Sequence, residues 1–388
     1  MIPSSPSGID GPAAVVWQRR LRAWRLRGLA LARRRARLVG APAFVFVPLG
    51  VALGPQASGL LSQNTLAHLD AVVSLGLAIL GVLVGIDLTA RSTRDRRIVT
   101  AGSVGALISL TVVGGSALYL LSRWGLPVGV PAVVLSLTLG GCAAASASGP
   151  MGGGADRLGR RVARAADVLP ILNGGVIVVV AVGASLGYAF GLLLYTALVG
   201  ASLGVANLWL AQSASSETER MTYQLGVLLL VAGCAAHLGL APLVAGLAAG
   251  ITWSVGPPAL LARVSEDIRK IQHPVLVLFL IVAGAIVEMS APVIWLLVAF
   301  LLFRLVGTAV SAWVVTRMLG EGEAPDVATA LLVPGTLGIA LALNFHQVTA
   351  SQTGVTVVST VALAAVLGEV LAAVTAGSPP EPRATEVR

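Results

Sequence analysis

About twelve apolar segments follow one another along this chain of 388 residues, and they constrain its fold more than any other feature. Hydrophobic residues make up 56% of the sequence and charged residues 11%, which excludes a soluble globular domain. A bilayer offers the backbone no hydrogen-bond partners, so such segments predict helices. We therefore expect an all-α polytopic membrane protein of about twelve transmembrane helices, at residues 41–61, 66–88, 98–121, 128–150, 165–186, 189–211, 222–238, 240–254, 274–290, 293–316, 326–347 and 355–377.

Two of these segments are interrupted, and they occupy matching positions in the two halves of the chain. One contains Gly149-Pro150 and the other Pro334-Gly335. A helix cannot continue unchanged through these pairs, so the freed backbone groups must be buried in protein or line a cavity. A pair of breaks in corresponding positions indicates the binding site of a secondary transporter. We expect that site to be lined by Ser146, Ser148, Pro150, Pro334, Gly335 and Thr336.

The basic residues lie asymmetrically about the predicted spans. With a cytoplasmic amino terminus, every one of the 26 lysines and arginines except Arg123 and Arg304 falls in a cytoplasmic loop, arm or tail. The positive-inside rule predicts this pattern for an even number of spans with both termini in the cytoplasm. We expect a multi-pass protein of the cell (inner) membrane, with a basic cytoplasmic arm at 1–40, a transmembrane domain at 41–377 and a short tail at 378–388.

The net charge of +9 is therefore a topology signal, and no nucleic-acid partner is expected. In the amino-terminal arm, arginines alternate with Trp17, Trp24 and several leucines. This pattern predicts an amphipathic helix on an anionic lipid surface in addition to the topological role. No nucleotide-binding loop, metal-ligand spacing or catalytic triad occurs, so we expect no enzyme activity, cofactor or metal.

Three polar residues inside predicted spans are candidates for the transport site. Asp167 could exchange a proton for a cation, or it could cap a helix at the membrane face beside Arg164. Asn173 could coordinate a cation through its carbonyl oxygen, or it could make an interhelical hydrogen bond. Arg304 could balance the charge of a carboxylate or of a broken helix end, or its side chain could extend to the membrane interface.

Several stretches resemble the monovalent cation/proton antiporter superfamily, the sodium/hydrogen exchangers and their relatives. Their order and spacing cover about residues 41–375: Gly50–Gly59, Leu75–Leu88, Leu238–Gly250, Arg304–Gly307 and Leu332–Thr336. The resemblance implies inverted repeats with two broken, crossing helices beside an acid-bearing helix. It also implies a core domain that moves against a dimerisation domain, and thus a homodimer.

The sequence departs from the family on the fifth helix, where an Asn-Asp or Asp-Asp pair is usual. One alignment keeps Asp167 as the acid and replaces its partner by Ala166; the other places Asn173-Gly174 there and removes the acid. Three functions stay open. The first is exchange of Na⁺ or K⁺ for H⁺. The second is a non-transporting pseudo-antiporter that acts as a membrane partner or sensor, and the third is an organic-anion transporter on the same fold.

Overall fold

The structure is a computed structural model that describes residues 42–89, 96–123, 129–145, 157–181, 186–320, 335–349 and 351–375. These residues form thirteen helices and no strand, so the all-α prediction is confirmed for the described part of the chain. The helices are α1 (Pro42–Leu53), α2 (Gln63–Thr89), α3 (Arg96–Arg123), α4 (Val130–Ala144), α5 (Arg157–Ala166), α6 (Val168–Ala181), α7 (Leu186–Ser213), α8 (Glu217–His237), α9 (Pro242–Trp253), α10 (Pro258–Ile286), α11 (Ala291–Leu319), α12 (Thr336–Thr349) and α13 (Gln352–Thr375). The arm at 1–40 and the tail at 378–388 lie outside the described residues.

The helices follow the order of the predicted apolar segments; α6 lies in the fifth, and α5 begins before that segment and reaches only its first two residues. Seven helical stretches in the described residues are long and apolar enough to cross a membrane, and one of them, Arg161–Ala181, runs through both α5 and α6. The apolar helices α1, α4 and α9 are shorter. The number of twelve spans stays a prediction.

Helix α10 begins well before the apolar segment predicted at 274–290. Its first half carries charged side chains, and Asp267 there is only 2% exposed. The Arg220 guanidinium of α8 donates to Asp267 Oδ2 from Nε at 3.1 Å and from Nη2 at 3.0 Å. This fork of charge-assisted hydrogen bonds offsets the cost of burying the carboxylate, so a polar half-helix packs against the apolar ones.

The helices pack as two groups. The first group consists of α1, α2, α7, α8, α9 and α10, whose main contacts are with one another. The second group consists of α3, α4, α5, α6, α11, α12 and α13. The groups meet mainly where α13 touches α1 and α10, where α6 touches α7, and where α12 touches α2 and α10. One hydrophobic core runs through both groups.

Two helix pairs in the first group make backbone contact through glycine. In the α2–α9 pair, Gly246 lies against the carbonyl oxygen of Ala78, and Gly81 faces the α9 backbone in return. In the α1–α10 pair, Gly50 and Gly284 lie against the partner backbone in the same way. A Cβ at any of these positions would overlap main-chain atoms. These glycines therefore set the interhelical distances, as small residues commonly do in membrane bundles.

Candidate functional site

Helix α12 begins directly after the predicted break at Pro334-Gly335, and helix α4 ends five residues before the predicted break at Gly149-Pro150. Helix α4 ends at Ala144, and the N–H of Ala145 still donates to the Gly141 carbonyl at 3.1 Å. Helix α12 begins at the partly buried Thr336, directly after the buried Gly335. The other predicted lining residues, Ser146, Ser148, Pro150 and Pro334, lie outside the described residues.

The two helices contact each other closely near these ends. A Cβ at Gly338 of α12 would lie 2.7 Å from the carbonyl oxygen of Cys142 in α4. Only glycine allows this approach without a shift of backbone. The contact brings the last turn of α4 against the first turn of α12, which matches the expectation that the interrupted segments meet.

Asn173 of α6 connects its helix to α4 through a side-chain hydrogen bond. Its side-chain nitrogen donates to the main-chain carbonyl oxygen of Leu137 in α4 at 3.1 Å. A Cβ at Gly141 would lie 2.9 Å from that nitrogen, so the glycine makes room for the amide. The structure therefore places Asn173 in an interhelical hydrogen bond at the junction of α4 and α6.

A small cavity lies where α4, α6 and α12 come together. Its volume is about 10 Å³, roughly the space needed for one water molecule. The polar side chains of the lining are Thr138, Asn173 and Asn344, and Gly174 lies beside them. The described lining contains no carboxylate.

Asn344 is a lining residue that the sequence reasoning missed. Asn344 is only 2% exposed. The available signal was an amide in the otherwise apolar stretch Leu341–Phe345 of an interrupted segment, the same signal that selected Asn173.

Asp167 is fully buried at the joint between α5 and α6. Its main-chain N–H donates to the Ala163 carbonyl at 3.2 Å, so the helical bonding continues through the joint. The preceding Ala166 packs with Ala106, Leu110 and Ala144 of α3 and α4. Asp167 precedes Asn173 by about 9 Å of helix rise and is not among the residues that line the cavity. The acid and the amide therefore lie nearly two turns apart along the α5–α6 pair.

Arg304 is buried in α11, with 7% of its surface exposed. The guanidinium is within electrostatic range of the Cys142 thiol, near the carboxyl end of α4. Its Nη2 atom has no hydrogen-bond partner among the described residues. A cation beside the carboxyl end of a helix complements the helix dipole. The structure thus places the guanidinium in the protein interior, beside the carboxyl end of α4.

Two polar contacts join the helix groups at one end of the molecule. The carboxylate of Glu369 in α13 accepts from the main-chain N–H of Phe44 at 2.8 Å and of Ala43 at 3.3 Å, which caps α1. Asp87 of α2 pairs with Arg164 of α5 at 3.4 Å, and with Arg269 of α10 at 3.1 Å. The Glu369 cap and the Asp87–Arg164 pair both lie near the ends of the helices that they join.

The described residues contain no group of three or more His, Cys, Asp or Glu side chains that could hold a metal ion. Cys142 and Cys234 are both free thiols. The polar groups available for a ligand at the cavity are therefore hydroxyl and amide groups and the backbone of the interrupted helices.

Among solved structures, the chain is similar to the sodium proton antiporter MjNhaP1 from Methanocaldococcus jannaschii at pH 8, with a TM-score of 0.55 and 15% sequence identity. The match covers 91% of this chain and 95% of that one. That neighbour is an antiporter and not an enzyme. No protein-family model matches the sequence, and no curated protein matches it. The chain shares the fold of this sodium proton antiporter, and its described residues include seven helical stretches that are long and apolar enough to cross a membrane.

Proposed function

We propose that this protein is a secondary transporter that exchanges a monovalent cation, Na⁺ or K⁺, for H⁺. The observation that carries the proposal is the cavity where α4, α6 and α12 meet, with Thr138, Asn173 and Asn344 on its lining. Hydroxyl and amide oxygens are hard ligands that suit alkali cations. The cavity has room for about one water, and thus for a dehydrated ion of similar size.

Asp167 is the proposed proton-binding group. It is the fully buried carboxylate on the helix pair that also carries Asn173. An ionisable group in this environment is expensive to keep and is a functional candidate for that reason. A negative Asp167 attracts a cation into the site, and protonation removes the attraction. Binding of the proton therefore opposes binding of the cation, and binding of the cation opposes binding of the proton.

Arg304 supplies the fixed positive charge in this scheme. It balances the carboxyl end of α4 and prevents the site from holding a cation in every state. Transport requires affinity low enough for release on the other side of the membrane. A buried arginine close to the broken helix lowers the affinity of the site for the cation, which a neutral residue would not do.

We infer that the two halves of the chain are inverted repeats. The tight pairs α1–α10 and α2–α9 correspond to each other if the first five spans are related to the last five by a shift of seven spans. The same shift pairs α3 with α11, α4 with α12, and α5–α6 with α13. Counting α5 and α6 as one span gives twelve spans. The first helix group is then the dimerisation domain of a homodimer, and the second group is the moving core.

The proposed placement is the inner membrane with both termini in the cytoplasm. It follows from the basic loops and arm, which fall on one side of such a protein. The arm at 1–40 binds anionic lipid on that side. Glu369 and Asp87 then join the two helix groups on the cytoplasmic side.

One observation favours the pseudo-antiporter as the second candidate. Gly174 follows Asn173 at the cavity, and the described lining has no carboxylate to bind a cation directly. A chain that keeps the fold and lacks the acid could act as a membrane partner or sensor. The charge of Arg304 is the one observation in favour of the organic-anion alternative. The volume of the cavity is against it, because there is room for about one water and not for an organic anion.

The test is cation-dependent proton flux in proteoliposomes, with Asp167→Asn compared with wild type. The substitution removes the charge and keeps the volume. We expect flux to fall to the level of protein-free liposomes while the protein remains folded. Glu266→Gln is the matched control, because Glu266 is an exposed acid on α10 that pairs with Lys270 only at 3.8 Å. Full activity of Asp167→Asn would show that another residue binds the proton.

A further inference from the structure

A second and much larger cavity lies between the two helix groups, at the opposite end from the Asp87–Arg164 contact. Its volume is about 350 Å³. The walls come from α2, α10, α12 and α13 and from the turns that follow α1 and α10. Its polar lining consists of Gln56, Asp70, Glu288, His346 and Gln347.

Helix α12 separates this cavity from the small one. Leu341, Asn344 and Phe345 line the small cavity, while Leu343 and His346 line the large one. The two cavities therefore lie against the same two turns of one helix.

The charge of the large cavity is negative. Asp70 and Glu288 are on its lining, and no lysine or arginine is among the described lining residues. Amide side chains contact both carboxylates. Gln352 donates to Glu288 Oε2 at 2.8 Å, and Gln347 donates to the main-chain oxygen of Asp70 at 3.0 Å, with its nitrogen 3.5 Å from Asp70 Oδ1. Amide donors orient a carboxylate and leave its charge uncompensated.

His346 is the remaining titratable group of the lining and lies within electrostatic range of Asp70. When neutral, it leaves both acid charges in place. A concave surface with like charges and apolar walls focuses the electric field and raises the local concentration of the counter-ion. The apolar parts of these walls include Val73, Val282 and Leu343.

We propose that this cavity is the external access vestibule for the transported cation, in which Asp70 and Glu288 concentrate monovalent cations beside α12. The proposal rests on the proposed cation exchange and on the proposed topology, in which this end of the molecule faces outward. Asp70 and Glu288 act on capture of the cation and not on the proton-binding step. Their neutralisation therefore raises the apparent KM for the cation and leaves kcat unchanged.

The electrostatic claim is tested with charged thiol reagents, without any ion gradient. Ala67 and Gln56 line the cavity and are exposed, so Ala67→Cys and Gln56→Cys are suitable probes. Each is treated in vesicles of known orientation with membrane-impermeant methanethiosulfonates of opposite charge, trimethylammonium and sulfonate. The chain without a probe is the blank for the native Cys142 and Cys234.

We expect the cationic reagent to react faster than the anionic one, relative to a free thiol in solution, by about tenfold at low ionic strength. Reaction should occur only from the external face. Asp70→Asn with Glu288→Gln should reduce the preference to that of the free thiol, and Glu266→Gln should leave it unchanged. High salt should weaken it, because exposed charges are screened.

An equal preference before and after neutralisation would overturn the vestibule, and so would labelling only from the cytoplasmic face. If the double variant fails to fold, Glu288→Gln alone should reduce the charge preference of labelling by a smaller amount. A wild type that shows the charge preference but exchanges no cation would support a cation-attracting cavity and contradict the proposed function. The two failures are therefore distinguishable.

Discussion

The side-chain nitrogen of Asn173 donates a hydrogen bond to the main-chain carbonyl oxygen of Leu137 at 3.1 Å, across 36 residues of sequence. This bond fixes α6 against α4 two turns before α4 ends. It also places the amide on the small cavity, opposite Asn344 of α12. One residue therefore contributes both to the packing of the interrupted helix and to the polarity of the proposed site.

Asn173→Ala should abolish cation-dependent proton flux and reduce the stability of the fold only slightly. The loss of stability should be about 0.6 kcal/mol, the average for an interhelical hydrogen bond in a membrane bundle. Thermal unfolding in detergent and flux in proteoliposomes measure the two effects separately. Asn64→Ala, an exposed amide at the start of α2, is the control. Normal flux in Asn173→Ala would restrict the residue to a packing role.

Arg304→Ala should reduce transport or destabilise the protein, because it removes the buried positive charge beside the carboxyl end of α4. Arg304→Lys should retain part of the activity, since charge is required and a bidentate fork is not. The measurements are flux and melting temperature. Wild-type values for both quantities in Arg304→Ala would show that the guanidinium has no balancing role.

Gly246→Ala should destabilise the α2–α9 pair, because the new Cβ would overlap the carbonyl oxygen of Ala78. Overpacking of this kind costs about 1–3 kcal/mol. Gly226→Ala in α8 is the matched control, since nothing lies within 4 Å of its Cβ position. Thermal unfolding should separate the two variants, with Gly226→Ala at or above the wild-type melting temperature. Equal melting temperatures would contradict the close approach of α2 and α9.

Reporter fusions test the topology. Fusions after Gln352 and after Ser378 flank the last predicted span and should report opposite sides of the membrane, with the fusion after Ser378 in the cytoplasm. The same side for both would remove the twelfth span from the account. An external report for Ser378 alone would reverse the orientation and with it the external position of the large cavity.

The helical architecture is predictable from the sequence because a bilayer leaves an apolar segment few alternatives to a helix. The polar half of α10 is not, because Asp267 becomes compatible with burial only through Arg220, which is 47 residues away. Local hydropathy contains no information on that pairing. The long-range cap of α1 by Glu369 escaped prediction for the same reason.

The candidate site was partly predictable. The interrupted segments identified the region where α4 and α12 meet, and Asn173 was recognised as a polar residue in an apolar helix. The position of Asp167 relative to Asn173 depends on how the α5–α6 joint packs against α3 and α4. The large cavity was unpredictable, because Asp70, Glu288 and His346 come together only when the two helix groups pack.

Cation-dependent proton flux of the wild-type protein tests the central claim most directly. Purified protein is reconstituted in liposomes that contain a pH-sensitive dye, and Na⁺, K⁺ or Li⁺ is added on one side. The account predicts proton movement opposite to the added Na⁺ or K⁺. It also predicts activity that rises with pH, because the proton must leave before the cation binds. No proton movement with any of the three cations, from a folded protein at any pH tested, would contradict the account and favour the pseudo-antiporter.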